Sequence, residues 1–162
     1  MMERGSLKVQ EVGSARVQPL RTRVLRPGLE PPAVAVFDGD EEGAHFALIR
    51  GEGEGEGGGD DGEILAVVSY YCGRPGPEDV QLRGMAVTEE LRGQGLGARL
   101  LRASLVRVAL KWPEARRVWC NARERALSLY EREGFVVVSA PFEVEGIGRH
   151  LRMERELPPV MA

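Results

Sequence analysis

The chain has 162 residues, with 22 Lys and Arg against 25 Asp and Glu, a formal charge of −3 and 43% hydrophobic residues. That length can bury a full core without disulfides or metals. The acidic balance argues against nucleic acid as a partner, and no apolar run approaches the roughly 18 residues that a membrane span needs. The N-terminus MMERGSLKVQ is charged and has no apolar leader segment, and the two cysteines, Cys72 and Cys120, make no disulfide framework. Both cysteines sit in apolar strand-like runs and read as buried reduced thiols, so a soluble cytoplasmic protein is expected.

In chain order, LKVQEV near residue 7 reads as a first strand. SARVQPLRTRVLR follows with Val17, Leu20, Val24 and Leu25 at helical spacing, and Pro27-Gly28 ends that helix. Arg21, Arg23 and Arg26 on it read either as a solvated face or as an anchor for an acceptor's carboxylate. After a proline-rich acidic connection, Ala44 to Arg50 is a strand. Residues 51–62, GEGEGEGGGDDG, cannot bury a core and form a flexible hairpin loop. The strand EILAVVSYYC pairs back across it. A strand containing Leu82, Met85 and Val87 then runs through a polar turn, Thr88 to Arg92, into Gly93, Gly95 and Gly97.

From about Gly95 to Trp112 a helix is expected, stopped by Pro113. Leu96, Leu100, Leu101, Leu105, Val108 and Ala109 make its apolar stripe, with Arg99, Arg102, Arg107 and Lys111 largely opposite. The strand RRVWCNA, the helix RERALSLYERE, the strand GFVVVSA and the strand IGRHLRMERE complete the chain. No repeat or second domain is visible. The order predicts an α/β fold, a mixed central β-sheet flanked by helices, with the glycine-rich crossover near its middle.

A strand entering a glycine turn at the head of a helix suits an anion. The first helical turn has N–H groups without partners and the positive end of the peptide dipole. Arg92 adds positive charge. A dinucleotide reading of Gly93-x-Gly95-x-x-Ala98 lacks the acidic residue about twenty positions on that a ribose contact requires. No Lys-Ser/Thr pair follows the glycines, as a nucleoside triphosphate loop would need.

Arg92-Gly93-Gln94-Gly95-Leu96-Gly97 resembles the R/Q-x-x-G-x-G/A signature of the GCN5-related N-acetyltransferase (GNAT) superfamily, and Ala126, Tyr130, Gly134 and Phe135 resemble its second signature. The resemblance spans nearly the whole chain, is strongest from about Val80 to Val138, and implies a GNAT-like (acyl-CoA N-acyltransferase) fold over 1–162. It implies that residues 92–97 hold the diphosphate of acetyl-CoA. It also implies that main-chain groups of Met85, Ala86 and Val87 pair with the pantetheine arm, with the N–H of Val87 polarising the thioester carbonyl. Amide formation from a thioester needs a neutral amine, a stabilised oxyanion and a protonated leaving thiol. The phenol of Tyr130 keeps its proton at neutral pH and is the candidate general acid; the alternative is a core tyrosine with its hydroxyl hydrogen-bonded.

Where the family often carries an asparagine seven positions before this tyrosine, the chain has Arg123. Asn121 stands two residues earlier, and either is a candidate contact to acetyl-CoA; Asn121 also suits a helix N-cap. His150 is the candidate general base and His45 a lesser one, with Asp40, Glu143 and Glu145 as further carboxylate options. No metal-ligand spacing and no covalent nucleophile arrangement is present. The expected activity is direct acetyl transfer from acetyl-CoA to a primary amine of a small molecule or peptide, by a monomer or homodimer. The competing expectation is a non-catalytic acyl-CoA-binding sensor or docking module.

Overall fold

The structure, a computed structural model, describes residues 6–25, 37, 39–51 and 62–160. Most of the 51–62 loop, the Pro27-Gly28 stop and Arg26 lie outside the described residues. Among those described, eight strands and three α-helices follow the order β1 (Leu7–Val12), α1 (Ser14–Leu25), β2 (Ala44–Arg50), β3 (Glu63–Cys72), β4 (Asp79–Val87), α2 (Leu96–Lys111), β5 (Arg117–Arg123), α3 (Leu127–Arg132), β6 (Val136–Val137), β7 (Phe142–Val144) and β8 (Gly148–Glu156). The strand order is β1-β2-β3-β4-β5-β8-β6, with β7 on β8. The β4–β5 pairing is parallel and the β1–β2 and β5–β8 pairings antiparallel, so the sheet is mixed as expected.

Two compact units divide the chain. The first holds the described residues up to Ser69 together with Gly84–Leu100; the second holds Tyr70–Arg83 and the described residues from Leu101 onward. β3, β4 and α2 pass through both.

In the first unit, Val17, Leu20 and Val24 of α1 pack with Ala47, Ile49, Val67 and Ala86. Pro19 lies inside α1, where a missing N–H and a ring clash cost about 3 kcal/mol or more. Three buried aliphatic side chains at about 1.5–3 kcal/mol each outweigh it, and the helix continues to Leu25.

In the second unit, Leu101, Leu105, Val108 and Ala109 of α2 are buried, as are Val118, Cys120 and Ala122 of β5. Tyr70 donates to or accepts from Ser104 Oγ at 2.7 Å, with both groups fully buried.

Several expectations need correction. The run GFVVVSA forms a strand only at Val136–Val137, and Val136, Val137 and Val138 are exposed. Its ladder with β8 ends because Ser139 Oγ accepts the next β8 amide, that of Arg152, at 2.8 Å. The short strand Phe142–Val144 was not expected; it forms by pairing with β8. The helix RERALSLYERE divides into a 3₁₀ turn, Glu124–Ala126, and α3. Cys120 is buried, but Cys72 ends β3 and is exposed.

Candidate active site

In the first unit, β4 leads into a 3₁₀ turn at Glu89–Leu91, anchored by buried Leu91 and by the Thr88 N–H to Leu65 O bond of 2.9 Å. Gly93 and Gly95 follow with φ of +82° and +78°. Space around both is open, with nothing within 4 Å of where a Cβ would stand. α2 begins at Leu96, and its first bond runs from the Arg99 N–H to Gly95 O at 3.1 Å. The amides of Leu96, Gly97 and Ala98 therefore have no carbonyl ahead of them in the helix. No acidic residue occupies that first turn, and Arg92, Gly93, Gln94 and Gly95 are exposed. An open turn of this kind, beside one arginine, fits an anionic diphosphate.

Upstream, Ala86 is buried in the core against α1, while Met85 and Val87 are half-buried. Contact with a ligand through Ala86 is thus open only to its main chain. Gly84 stands just before them with φ +69°, and a Cβ there would lie 2.9 Å from Arg21 Nε and 3.1 Å from Phe37 Cε2.

Arg21 is fully buried. Its Nη1–H donates to Asp40 Oδ2 at 2.9 Å, its Nη2–H donates to Ser69 Oγ at 2.6 Å, and it lies 4.1 Å from the Phe37 ring centroid. Both sequence readings of Arg21, a solvated face and an anchor for an acceptor's carboxylate, are thereby overturned, whereas Arg23 is exposed. The signal was present, since position 21 falls within the stripe 17, 20, 24.

The same network removes two candidate bases. Asp40 is buried, paired with Arg21, and accepts the Phe37 N–H at 2.9 Å. His45 is 2% exposed and both its nitrogens are engaged. Its Nε2–H donates to Asp40 O at 2.6 Å, because a carbonyl only accepts, and in the neutral ring Nδ1 accepts from Ser69 Oγ at 2.7 Å.

In the second unit, Tyr130 lies on α3 and is 5% exposed. The residues after it explain why it is held. Gly134, at φ +92°, donates its N–H to Glu131 O at 3.2 Å, and the Phe135 N–H reaches back to Tyr130 O at 3.0 Å. This is a Schellman cap, which requires a left-handed residue where Gly134 stands and favours an apolar contact across it. That contact is Phe135 edge-on to Tyr130, ring centroids 5.3 Å apart. Burial pushes the Tyr130 phenol well above the ordinary range, with the nearby Cys120 and Tyr70 adding to the effect. Among the described residues no protein group hydrogen-bonds its hydroxyl, unlike that of Tyr70.

On β5, Val118, Cys120 and Ala122 face inward, so Trp119, Asn121 and Arg123 project to the opposite face. Asn121 is exposed within the strand and caps no helix; Arg123 ends the strand at half burial. The β4–β5 ladder covers only Asp79–Arg117, Val80–Val118 and Gln81–Trp119, whereas the β5–β8 ladder continues to Arg123–His150. His150 therefore stands on the face of Asn121 and Arg123, while Tyr130 approaches from the face of Cys120.

His150 is 6% exposed, and its Nδ1–H donates to Gly148 O at 2.8 Å. A neutral ring held this way carries its lone pair on Nε2. Glu143 and Glu145 are exposed. Among the described residues no group of three His, Cys, Asp or Glu side chains is placed to hold a metal ion, and no helix is long and apolar enough to cross a membrane.

A mixed sheet with a glycine turn at the head of α2 and a capped tyrosine helix after β5 is the fold of solved acyl-CoA N-acyltransferases. The family model described as an acetyltransferase (GNAT) domain matches residues 59–157, and the chain belongs to that family. It is similar to the uncharacterized N-acetyltransferase YitI of Bacillus subtilis, 26% identical over 159 residues that cover 93% of this chain and 97% of the relative. Its fold is like that of Escherichia coli ElaA, with a TM-score of 0.70 at 22% identity, covering 93% of this chain and all of that one (100%). It is also like the IAA acetyltransferase of Bacillus cereus, with a TM-score of 0.66 at 18% identity, covering 94% and 100%.

Proposed function

We propose that residues 1–162 act as one acetyltransferase domain that moves the acetyl group of acetyl-CoA directly to a primary amine. The observation that carries this reading is Tyr130, a buried, capped phenol whose hydroxyl has no protein partner among the described residues. Acetyl-CoA, when bound, supplies an activated thioester. Residues 92–97, from Arg92 through Gly93, Gln94, Gly95 and Leu96 to Gly97, bind its diphosphate through amides and one guanidinium. Main-chain groups of Met85, Ala86 and Val87 orient the arm, with the Val87 N–H set to stabilise negative charge on the carbonyl oxygen. His150 Nε2 takes a proton from the amine, and Tyr130 holds the proton destined for the sulfur. Asn121 and Arg123, on the His150 face, border the transferred group.

The cysteines support transfer without an acyl-enzyme. Cys120 is buried with its thiol pushed up to about 12, and desolvation also raises that of exposed Cys72. Neither is poised as a thiolate nucleophile. The same reading takes the protein as cytoplasmic, as a monomer or homodimer, with neither nucleic acid nor membrane as a partner; the net charge of −3 supports the absence of nucleic acid.

The test is thermal unfolding with acetyl-CoA, CoA, NAD and ATP, followed by mass spectrometry of an amine panel. Ligand at a hundred times its dissociation constant adds about 2.7 kcal/mol, which raises the midpoint by several degrees. Stabilisation by the two CoA species together with acetylated product is the expected result. Stabilisation without product favours the non-catalytic sensor, and stabilisation by NAD or ATP alone overturns the reading.

A further inference from the structure

One face of the β5–β8 pair gathers side chains that recognise an anion. Asn121 stands opposite Arg152, and Arg123 opposite His150. Opposite residues of an antiparallel pair share a face, with Cβ atoms about 4.5–5.5 Å apart. The four therefore form one block, with Cys120, Ala122 and Met153 buried on the other side. Aromatic rings floor it: Arg152 Cζ lies 3.9 Å from the Trp119 ring centroid, and Phe142 stacks on His150 with centroids 5.9 Å apart.

The three arginines of β8 are held differently. Arg149 pairs with Glu124 at 2.7 Å, and Arg155 donates to the carbonyls of Glu133 and Glu156. Arg152 rests on a ring instead. No carboxylate among the described residues lies within ion-pair distance of it, although Glu154 shares its face of the strand. Stacking fixes the plane of a guanidinium and leaves its N–H edge to a planar anion. Arg123 adds charge of the same sign on the neighbouring strand.

We propose that Arg152 binds the carboxylate of the acceptor, so that the acceptor is a small molecule carrying both a primary amine and a free carboxylate, an amino acid. This rests on the amine transfer proposed above and names its substrate class. His150 and Arg152 are two residues apart on one strand, about 7 Å along it. An amino acid spans that interval with a hydrogen bond at each end, its amine toward His150 Nε2.

The experiment measures CoA release by the full chain at saturating acetyl-CoA, with each amino acid beside its decarboxylated amine: leucine with 3-methylbutylamine, phenylalanine with 2-phenylethylamine, lysine with cadaverine. In at least one pair kcat/KM favours the amino acid by roughly ten- to hundredfold, the range of a hydrogen-bonded charge. Arg152→Gln erases the preference through KM for the amino acid, and Arg152→Lys restores part of it. The acetyl-CoA dissociation constant of each variant reports that the fold is intact. Should Arg152→Gln fail to fold, titration of the wild-type chain with the amino acid and with its methyl ester reads the same discrimination. Preference for the amine in every pair, or a ratio unmoved by Arg152→Gln, overturns the inference while amine transfer stands. Bound acetyl-CoA with no amine of either series acetylated overturns both.

Discussion

Gly84 and Gly93 have nearly the same backbone conformation and opposite surroundings, which separates conformational strain from packing. Both lie in the left-handed region, at φ +69° and +82°. Placing alanine there costs about 1–2 kcal/mol from crowding of its Cβ against the backbone. At Gly93 nothing else is within reach, so the loss in Gly93→Ala ends there. At Gly84 the added methyl meets Arg21 Nε at 2.9 Å and Phe37 Cε2 at 3.1 Å. Arg21 cannot swing aside without breaking its bonds to Asp40 and Ser69 in a site from which water is excluded. Overpacking of that kind adds about 1–3 kcal/mol. Gly84→Ala is therefore expected to lose about 2–5 kcal/mol in all. For a chain of this size that lowers the melting midpoint by roughly 4–20 °C. Urea denaturation of both variants without ligand measures the difference. Losses agreeing within about 0.5 kcal/mol, the scatter of additive effects, refute the claim that the Arg21 cluster presses on β4.

Three further outcomes are expected. Tyr130→Phe keeps the ring that packs on Phe135 but lowers kcat by about 10²–10⁴-fold, the range of general acid catalysis, with acetyl-CoA affinity retained by titration; an unchanged kcat removes Tyr130 from the chemistry. His150→Gln lowers kcat by about 10²–10⁴-fold, the range of general base catalysis, with acetyl-CoA affinity retained, whereas His45→Gln lowers stability by about 1–3 kcal/mol through its broken network and leaves kcat in place. A kcat that falls with His45→Gln and not with His150→Gln reverses the assignment. With a disulfide reagent at pH 8 the folded protein titrates one thiol, Cys72, and two in denaturant. Cys120 keeps its proton to about 12 when folded and releases it near 9.0 when unfolded, so stability contributed below 9 declines as pH rises through that window. Two fast thiols in the folded state refute this burial.

Much of the site was legible in the chain because its signals are local. Glycines 93 and 95 lie where a strand pattern gives way to a helical one, and the spacing of Tyr130, Gly134 and Phe135 is that of one helix end with its cap. Apolar periodicity likewise placed α2 within one residue of its ends, Leu96 and Lys111. Burial of Arg21 was partly legible from its place in the α1 stripe, but a lone arginine predicts no partner. Asp40, His45 and Ser69 are 19, 24 and 48 residues away in sequence, and only tertiary packing gathers them around it.

The sequence by itself determined most of the strand and helix identities, the glycine turn at the head of α2 and the family, since each depends on residues within a turn or two of one another. Only the tertiary structure showed His45 engaged by Asp40 and Ser69, and only it placed His150 and Arg152 on one face with Asn121 and Arg123. The first depends on packing between distant segments, and the second on strand register, which is set by pairing across the β5–β8 ladder rather than by any property of β5 or β8 alone.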